Sequence, residues 1–576
     1  MQRIILIGLL AATWMLSIAI ANNLQAAEGN ATSLAQIRLT PADAKRLTAQ
    51  RSAFINAPDL TKRLERLQNF EQQALQLAVD EPLKLGSIGS AILDIYPGSQ
   101  TGQFAMRRFY EHVESVEAQQ SHNAELTLLQ AHMRASGSGT AIDPFKVVTI
   151  YDAHTYAASN DKLPVGSIYQ SNQSVSFGFM LVARPQGAPL QKTYFDISHV
   201  LDDFIEHARK IDQADTQHKQ SNVEKEATQA KTSANPWTYM RLLASQMDSA
   251  AQAAIGSYLA SVKKYDDAIT WLQVAARAEN VLANALLTRI YWTQADQETD
   301  SSKREILKEL VLENHLHAIT LGSTDSMYTL ASLYLSDYFG ADNREAGIAL
   351  LHQSGELQHV ESLLYLGHLY NAGMDVKQNT ATAEVFFSRA ANLNNPQAII
   401  SYGRFLSGRD GINQEQKQDD KQIKKLLQSI ADRGNAEAMI VLGNLYARGI
   451  NGRSSNRRAI KWYKKAVRAD TENGDIVNEV AWTLSVSDVD GLPRGKYAKR
   501  IMDKLMANVP EMRKRPEYLD TWAATHAAIG DFNQAIILQN EAIAEATSQQ
   551  REDVLDILKD HLDKFKAGAV IKERAP

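Results

Sequence analysis

Leu366-Gly367-His368-Leu369-Tyr370 returns as Tyr402-Gly403-Arg404-Phe405-Leu406 and again as Leu442-Gly443-Asn444-Leu445-Tyr446. With Ala331 as an earlier anchor, the small residues stand at 331, 367, 403 and 443, in steps of 36, 36 and 40. A recurring period of this size describes stacked supersecondary units. The second half of each unit recurs too. Ala383, Phe386, Phe387 and Ala390 lie 16, 19, 20 and 23 residues after Gly367, and Ala459, Trp462, Tyr463 and Ala466 keep those offsets from Gly443. In the unit between them the equivalents are Ile423, Leu426, Leu427 and Ile430, displaced by four residues, which accounts for the 40-residue step. Intervals of three and four place these side chains on one helix face.

Each unit therefore reads as two antiparallel helices. The first carries Gly or Ala where its backbone must come close to a neighbour. The second offers an aromatic pair flanked by alanines, and adjacent units supply the core that one pair cannot build alone. This pattern resembles the Sel-like branch of the tetratricopeptide repeats. The resemblance implies an α-solenoid that binds proteins or carries other domains rather than one that catalyses. Gly256, Tyr265, Ala268 and Ala275 match ordinary tetratricopeptide spacing, as do Ala523, Gly530, Phe532, Ala535 and Ala542. Thr288 and Ala481 anchor weaker units, so the series runs 256, 288, 331, 367, 403, 443, 481, 523. Two positions depart from it. His526 stands where an aromatic is usual, and Arg409 where the sister units have Gly373 and Gly449.

The expected fold is mainly α: a solenoid of helix-turn-helix repeats over 237–570 with little strand, preceded by a small α+β domain over 28–207 and a linker at 208–236. Residues 208–235 have no aromatic residue and are rich in Gln, Lys, Glu, Thr and Ser, a composition that cannot bury a core. At the other end, Arg3 precedes an apolar run from Ile4 to Ala21, followed by small residues through Ala27. That is the pattern of a secretory signal peptide over 1–27. The expected location is periplasmic or secreted, the alternative being an N-terminal membrane anchor, since a run of that length can just cross a bilayer. The chain has no cysteine, which excludes disulfides, thiolate metal sites, a cysteine nucleophile and a lipid-modified cysteine. A net charge of −5 over 576 residues points to no partner class.

Within the N-terminal domain, Thr40-Pro41 reads as a helix start, and Leu60, Leu64, Leu67, Phe70, Leu75 and Leu77 recur at near-helical intervals. Further helices are expected near 101–116 and 124–134. From Ser136 to 200 the texture suggests a small antiparallel sheet. Phe145–Ile150 is rich in β-branched residues, 175–181 and 193–197 alternate, and Arg184-Pro185-Gln186-Gly187-Ala188-Pro189 suits a hairpin connection. The stretch from Leu128 to Ser198 resembles a domain of unknown function found in secreted bacterial proteins, which implies no activity.

The sequence offers no phosphate loop, no H-E-x-x-H and no nucleophile elbow, so no catalytic residue, metal ligand or cofactor is assigned. His199 and His207 flank Asp202, Asp203 and Glu206, but eight residues of helix separate them by about 12 Å, too far for one ion. Asp488-Val489-Asp490-Gly491 resembles the middle of a calcium loop, yet Val486 and Tyr497 would fill its first and twelfth ligand positions, so it reads as a turn. Asp196 is expected to face solvent.

One surface feature stands out. Between Ala438 and Ala469 there is no acid, while Arg457, Lys461, Lys464, Lys465 and Arg468 share the helix face opposite Trp462 and Tyr463. This is the candidate partner-binding face, toward an anionic envelope component rather than nucleic acid. The functional expectation is a non-enzymatic scaffold or adaptor that holds a protein partner. The alternative places an enzyme, or a carbohydrate- or peptide-binding module, in residues 28–200, with the repeats delivering it.

Overall fold

The computed structural model describes residues 38–170, 177–198, 200, 236–245, 247–408, 417–450 and 453–574. The expected signal segment, the 208–235 stretch, His199, His207 and Arg409 lie outside the described residues. Compactness divides the chain between Ser323 and Thr324, the hairpin tip 187–189 aside.

The first unit opens with five helices, α1 (Pro41–Ile55), α2 (Leu60–Asp80), α3 (Leu85–Ile95), α4 (Gln100–His112) and α5 (Val116–Arg134). Thr40 caps α1 in a reciprocal box with Asp43. The apolar run 85–95, rich in small residues, forms a helix that the sequence reading did not assign. A four-stranded sheet follows, with β1 (Phe145–Lys146), β2 (Lys162–Gln170), β3 (Gly178–Pro185) and β4 (Gln191–Asp196) in the order β1-β4-β3-β2, and helix α6 (Ile150–Ala158) inserted after β1. The expectation of an antiparallel sheet needs correction at one edge, because β1 pairs parallel with β4. β2–β3 and β3–β4 are antiparallel, and Gly187 turns the hairpin at φ +65.

Helices cover both faces of this sheet. α7 (Pro236–Ser245), α8 (Ser249–Ser261), α9 (Tyr265–Arg277), α10 (Val281–Gln297) and α11 (Ser301–Thr320) belong to the same unit. Phe145, Phe179, Leu181 and Phe195 pack on α6, α7 and α8, while Val165, Met180 and Val182 pack on Val281, Ala318 and Leu321. β3 is therefore buried without interruption from Gly178 to Ala183, instead of alternating as the sequence suggested. Edge strand β2 is tied down from the side. Asn280, the cap of α10, donates to the Ser167 carbonyl at 2.7 Å, and Tyr169 OH donates to Asp248, the cap of α8.

The second unit is helical: α12 (Thr324–Leu335), α13 (Arg344–Glu356), α14 (Val360–Ala372), α15 (Thr380–Asn392), α16 (Pro396–Gly408), α17 (Lys417–Asp432), α18 (Ala436–Arg448), α19 (Asn456–Ala469), α20 (Gly474–Val486), α21 (Gly495–Asn508), α22 (Pro516–Ala527), α23 (Phe532–Ser548) and α24 (Glu552–Lys566). The eight expected anchors all fall in the first helix of a pair, from Gly256 in α8 to Ala523 in α22. Their smallness has a direct cause. A Cβ on Gly443 would come within 2.3 Å of the Tyr463 ring, and one on Gly367 within 2.9 Å of the Phe387 ring. In the pair anchored at Ala331 the roles are shared, with Gly347 of the second helix packed on the first. Gly373 and Gly449 end α14 and α18 in the left-handed conformation. Arg404 of α16 and Glu479 of α20 form a two-pronged ion pair across the intervening α18.

Trp462 is 8% exposed in the core of the second unit, while its neighbour Lys461 is exposed. Trp462→Ala should cost about 3–5 kcal/mol, the usual range for emptying a large aromatic site. Lys461→Ala should leave the denaturation midpoint nearly unchanged. Equal midpoints for the two variants would contradict the assigned helix faces.

Candidate functional site

Helix α19 owes its basic face to its repeat register. Ser455 caps it, and Ala459, Trp462, Tyr463, Ala466 and Val467 are buried, which turns the remaining positions outward. Of the five residues expected there, Arg457, Lys461 and Arg468 are exposed and Lys464 and Lys465 are half-buried. They do not act as one patch. The Lys465 ammonium lies 4.1 Å from the Trp462 ring centroid, whereas Lys464 lies over Tyr497 of α21 at 5.1 Å. Arg448, on the preceding helix, is drawn off to Asp488 at 3.5 Å.

The neighbouring unit adds to the positive charge instead of balancing it. Arg500 also lies over Tyr497, at 5.2 Å, and Lys504 follows one turn later on α21. Between α19 and α21 runs a groove of about 280 Å³ with Lys464, Arg468, Arg500 and Lys504 around it and Val467, Val477 and Ile501 beneath. Its lining carries no carboxylate, and none of the four cations has an ion-pair partner among the described residues. The one acid on this part of α21, Asp503, is turned away to Lys499 and the Trp522 indole. Burial pushes the Tyr497 phenol above its ordinary value, and Arg500 and Arg468 oppose that shift.

Sequence reasoning missed Tyr497, Arg500 and Lys504. Their spacing of three and four marks a shared face, but only the register between successive pairs shows that this face meets α19.

The first unit holds a second polar constellation that the sequence did not suggest. Glu71 is fully buried and accepts from Ser99 and Thr149, each at 2.6 Å, the residues that begin α4 and α6. Asp152 is buried beside it and accepts from the backbone N–H groups of Gln100 and Val148. Two carboxylates thus sit between two helix N-termini, whose free N–H groups and positive dipole ends favour negative charge. Burial drives both acids above the usual carboxylate range, and Asp152 adds to the shift of Glu71. Two cavities among the described residues border this cluster, of about 30 and 40 Å³, room for a water molecule but not a substrate. A signal for Glu71 did exist: it continues the buried series Leu60, Leu64, Leu67, Ala74, Ala78 along α2.

The remaining candidates, and the histidines His315 and His317 of α11, take structural positions. Asp488–Gly491 is a turn, with Gly491 at φ +69 and the Asp490 carbonyl accepting from Asn456. Asp196, expected to face solvent, is half-buried and accepts from the Ser198 N–H. His315 is buried, and burial pushes its pKa down to about 4, while His317 meets Asn284. His526 replaces the usual aromatic by filling a buried site and contacting Asp531 at 2.9 Å.

The Sel1 repeat family matches residues 360–395 and 436–470, the pairs α14–α15 and α18–α19. The pair between them lacks the Ala-aromatic pattern, as the sequence spacing already showed. Protein SHC1 of Saccharomyces cerevisiae is 24% identical over 196 residues, 32% of this chain, and the chain spans 38% of that relative's length. Among solved structures, a Sel1 repeat protein from Oxalobacter formigenes is similar at 20% identity over 44% of this chain and 98% of that one, with a TM-score of 0.31. The protective antigen c5321 of uropathogenic Escherichia coli, which displays an SLR fold, is similar at 16% identity over 59% of this chain and 77% of that one, with a TM-score of 0.29. Two of the helix pairs thus match the Sel1 repeat, within a mainly helical solenoid fold that also holds a small α+β region.

The buried carboxylates give a pH dependence of definite sign. An acid whose folded pKa is raised binds its proton more tightly in the folded state. Its stabilising contribution is complete below the unfolded value, about 4, and is lost as pH rises through the raised one. Asp152→Asn keeps an acceptor for the Gln100 N–H and removes the titration. Its thermal midpoint should change less than the wild type's between pH 4 and 7. Parallel pH profiles would contradict the assignment.

Proposed function

We propose that the chain is an exported, non-enzymatic scaffold whose helical repeats hold a protein partner, with the basic side of α19 contacting an anionic part of that assembly. The observation that carries this reading is the groove between α19 and α21, where four cations stand together with no carboxylate in the lining and no ion-pair partner among the described residues. A solenoid that only filled space would gain by balancing those charges, since like charges on adjacent helices repel. The Sel1 repeat match supports a protein partner, because such arrays expose long helix faces for docking. In the first unit, the acids that could have served chemistry are engaged at helix N-termini and border cavities too small for a substrate. That favours the scaffold over a catalytic N-terminal domain. No helix among the described residues is long and apolar enough to cross a membrane.

Two measurements test the reading. Cell fractionation with N-terminal sequencing should recover the protein from the periplasm or medium, shortened by roughly the first 27 residues, the length that the apolar run and its small-residue flank define. A full-length chain that stays with the membrane would support the anchor instead. Affinity capture with the full-length exported protein from envelope extract should retain a defined protein partner, and retention should fall as salt rises, because exposed charges are screened within about 8 Å at physiological ionic strength. Recovery of no partner would overturn the scaffold.

A further inference from the structure

We infer that the groove between α19 and α21 takes an acidic peptide segment carrying an apolar side chain. In this arrangement carboxylates meet Lys464, Arg468, Arg500 and Lys504 while the apolar group rests on Val467, Val477 and Ile501. The inference rests on the scaffold reading and names the chemistry of the partner at one site.

Size is the first argument. At about 280 Å³ the groove falls just below the range of roughly 300–1,000 Å³ that encloses a whole small-molecule ligand. It suits one anchoring side chain of a larger partner, the kind of buried anchor that dominates binding at protein interfaces.

The second argument is chemical layout. Cations line the sides and aliphatic groups form the bottom. A free phosphate or a lipid headgroup would satisfy the cations and leave the apolar bottom unused. A peptide with acidic residues two positions either side of an apolar one uses both, since side chains at i and i+2 of an extended segment share one face. Arg468 and Arg500 are suited to carboxylates because each guanidinium can donate two parallel hydrogen bonds.

Nucleic acid fits less well. Base binding to a single strand relies on free aromatic faces, and the Tyr497 ring already carries Lys464 and Arg500. Beyond the groove, Arg457 and Lys461 continue along α19, exposed, so a longer acidic segment would find further positive charge in the same direction.

The test uses the full-length protein and fluorescence anisotropy with two labelled peptides of equal charge, one in which glutamate and leucine take turns at every second position with serine between them, the other with glycine in place of each leucine. The expected result is tighter binding of the leucine peptide, weakened roughly tenfold or more in Arg468→Glu/Arg500→Glu, as loss of a complementary charge pair usually does. Arg468→Gln/Arg500→Gln should show the same direction if charge reversal disturbs folding, which far-UV circular dichroism reports. Equal affinity for the two peptides, or full displacement by inorganic phosphate, would reduce the groove to a simple anion site. Equal retention on phosphatidylglycerol vesicles, lost in the same variants, would assign it to lipid, and absence of peptide binding would overturn the inference outright. The captured partner separates the two levels. If the charge-reversed variant still holds the partner that the wild type holds, the groove assignment fails and the scaffold stands. If the wild type holds none, the scaffold fails whatever the peptides do.

Discussion

The repeat region depends on one short-range contact, the backbone of a first helix against a large side chain of the second. At Gly443 the Tyr463 ring occupies the volume that a Cβ would need, and at Gly367 the Phe387 ring does. Both rings are almost fully buried, and Tyr463 also donates its hydroxyl to Asn444 at 2.8 Å. At Gly403 the same space is taken by Leu427 and by Val441 of the next pair. This close approach draws the two helices together and orients the outer face of the second one. The basic side of α19 points outward because Trp462 and Tyr463 point in, so surface chemistry and core packing follow from the same register.

The first unit is built on a different constraint. A four-stranded sheet with both faces covered cannot stop at its own last strand, and the helices from Pro236 to Thr320 complete it. Asn280 and Asp248 each serve twice, as a helix cap and as a link to edge strand β2. The repeat pattern therefore begins inside a unit whose core is shared with the sheet. Glu71 and Asp152 show similar economy, since two acids that would be costly to bury alone satisfy the starts of two helices.

The legible parts of the sequence were those in which a local rule and the global fold agree. Anchors at 256 to 523 mark first helices because the spacing of glycine, alanine and aromatics is set within one pair. The sheet was read less well. β1 is only two residues long, β2 contains Pro164 and Gly166 with a register shift between them, and β3 lost its alternation once both faces were covered. The basic face was found on α19, but its division was not. Lys465 is held by Trp462, and Lys464 and Arg468 join Arg500 and Lys504 only through the packing of successive pairs. That information lies in no single repeat.

The central claim is that the glycine and the ring form one packing unit, and a double-mutant cycle on Gly443 and Tyr463 tests it most directly. In the wild-type background Gly443→Ala should cost about 1–3 kcal/mol through overpacking. With Tyr463→Ala already present, the added methyl finds room and most of that cost should vanish, leaving a coupling of about 1 kcal/mol or more by denaturant unfolding. Strictly additive effects of the two substitutions would contradict the account.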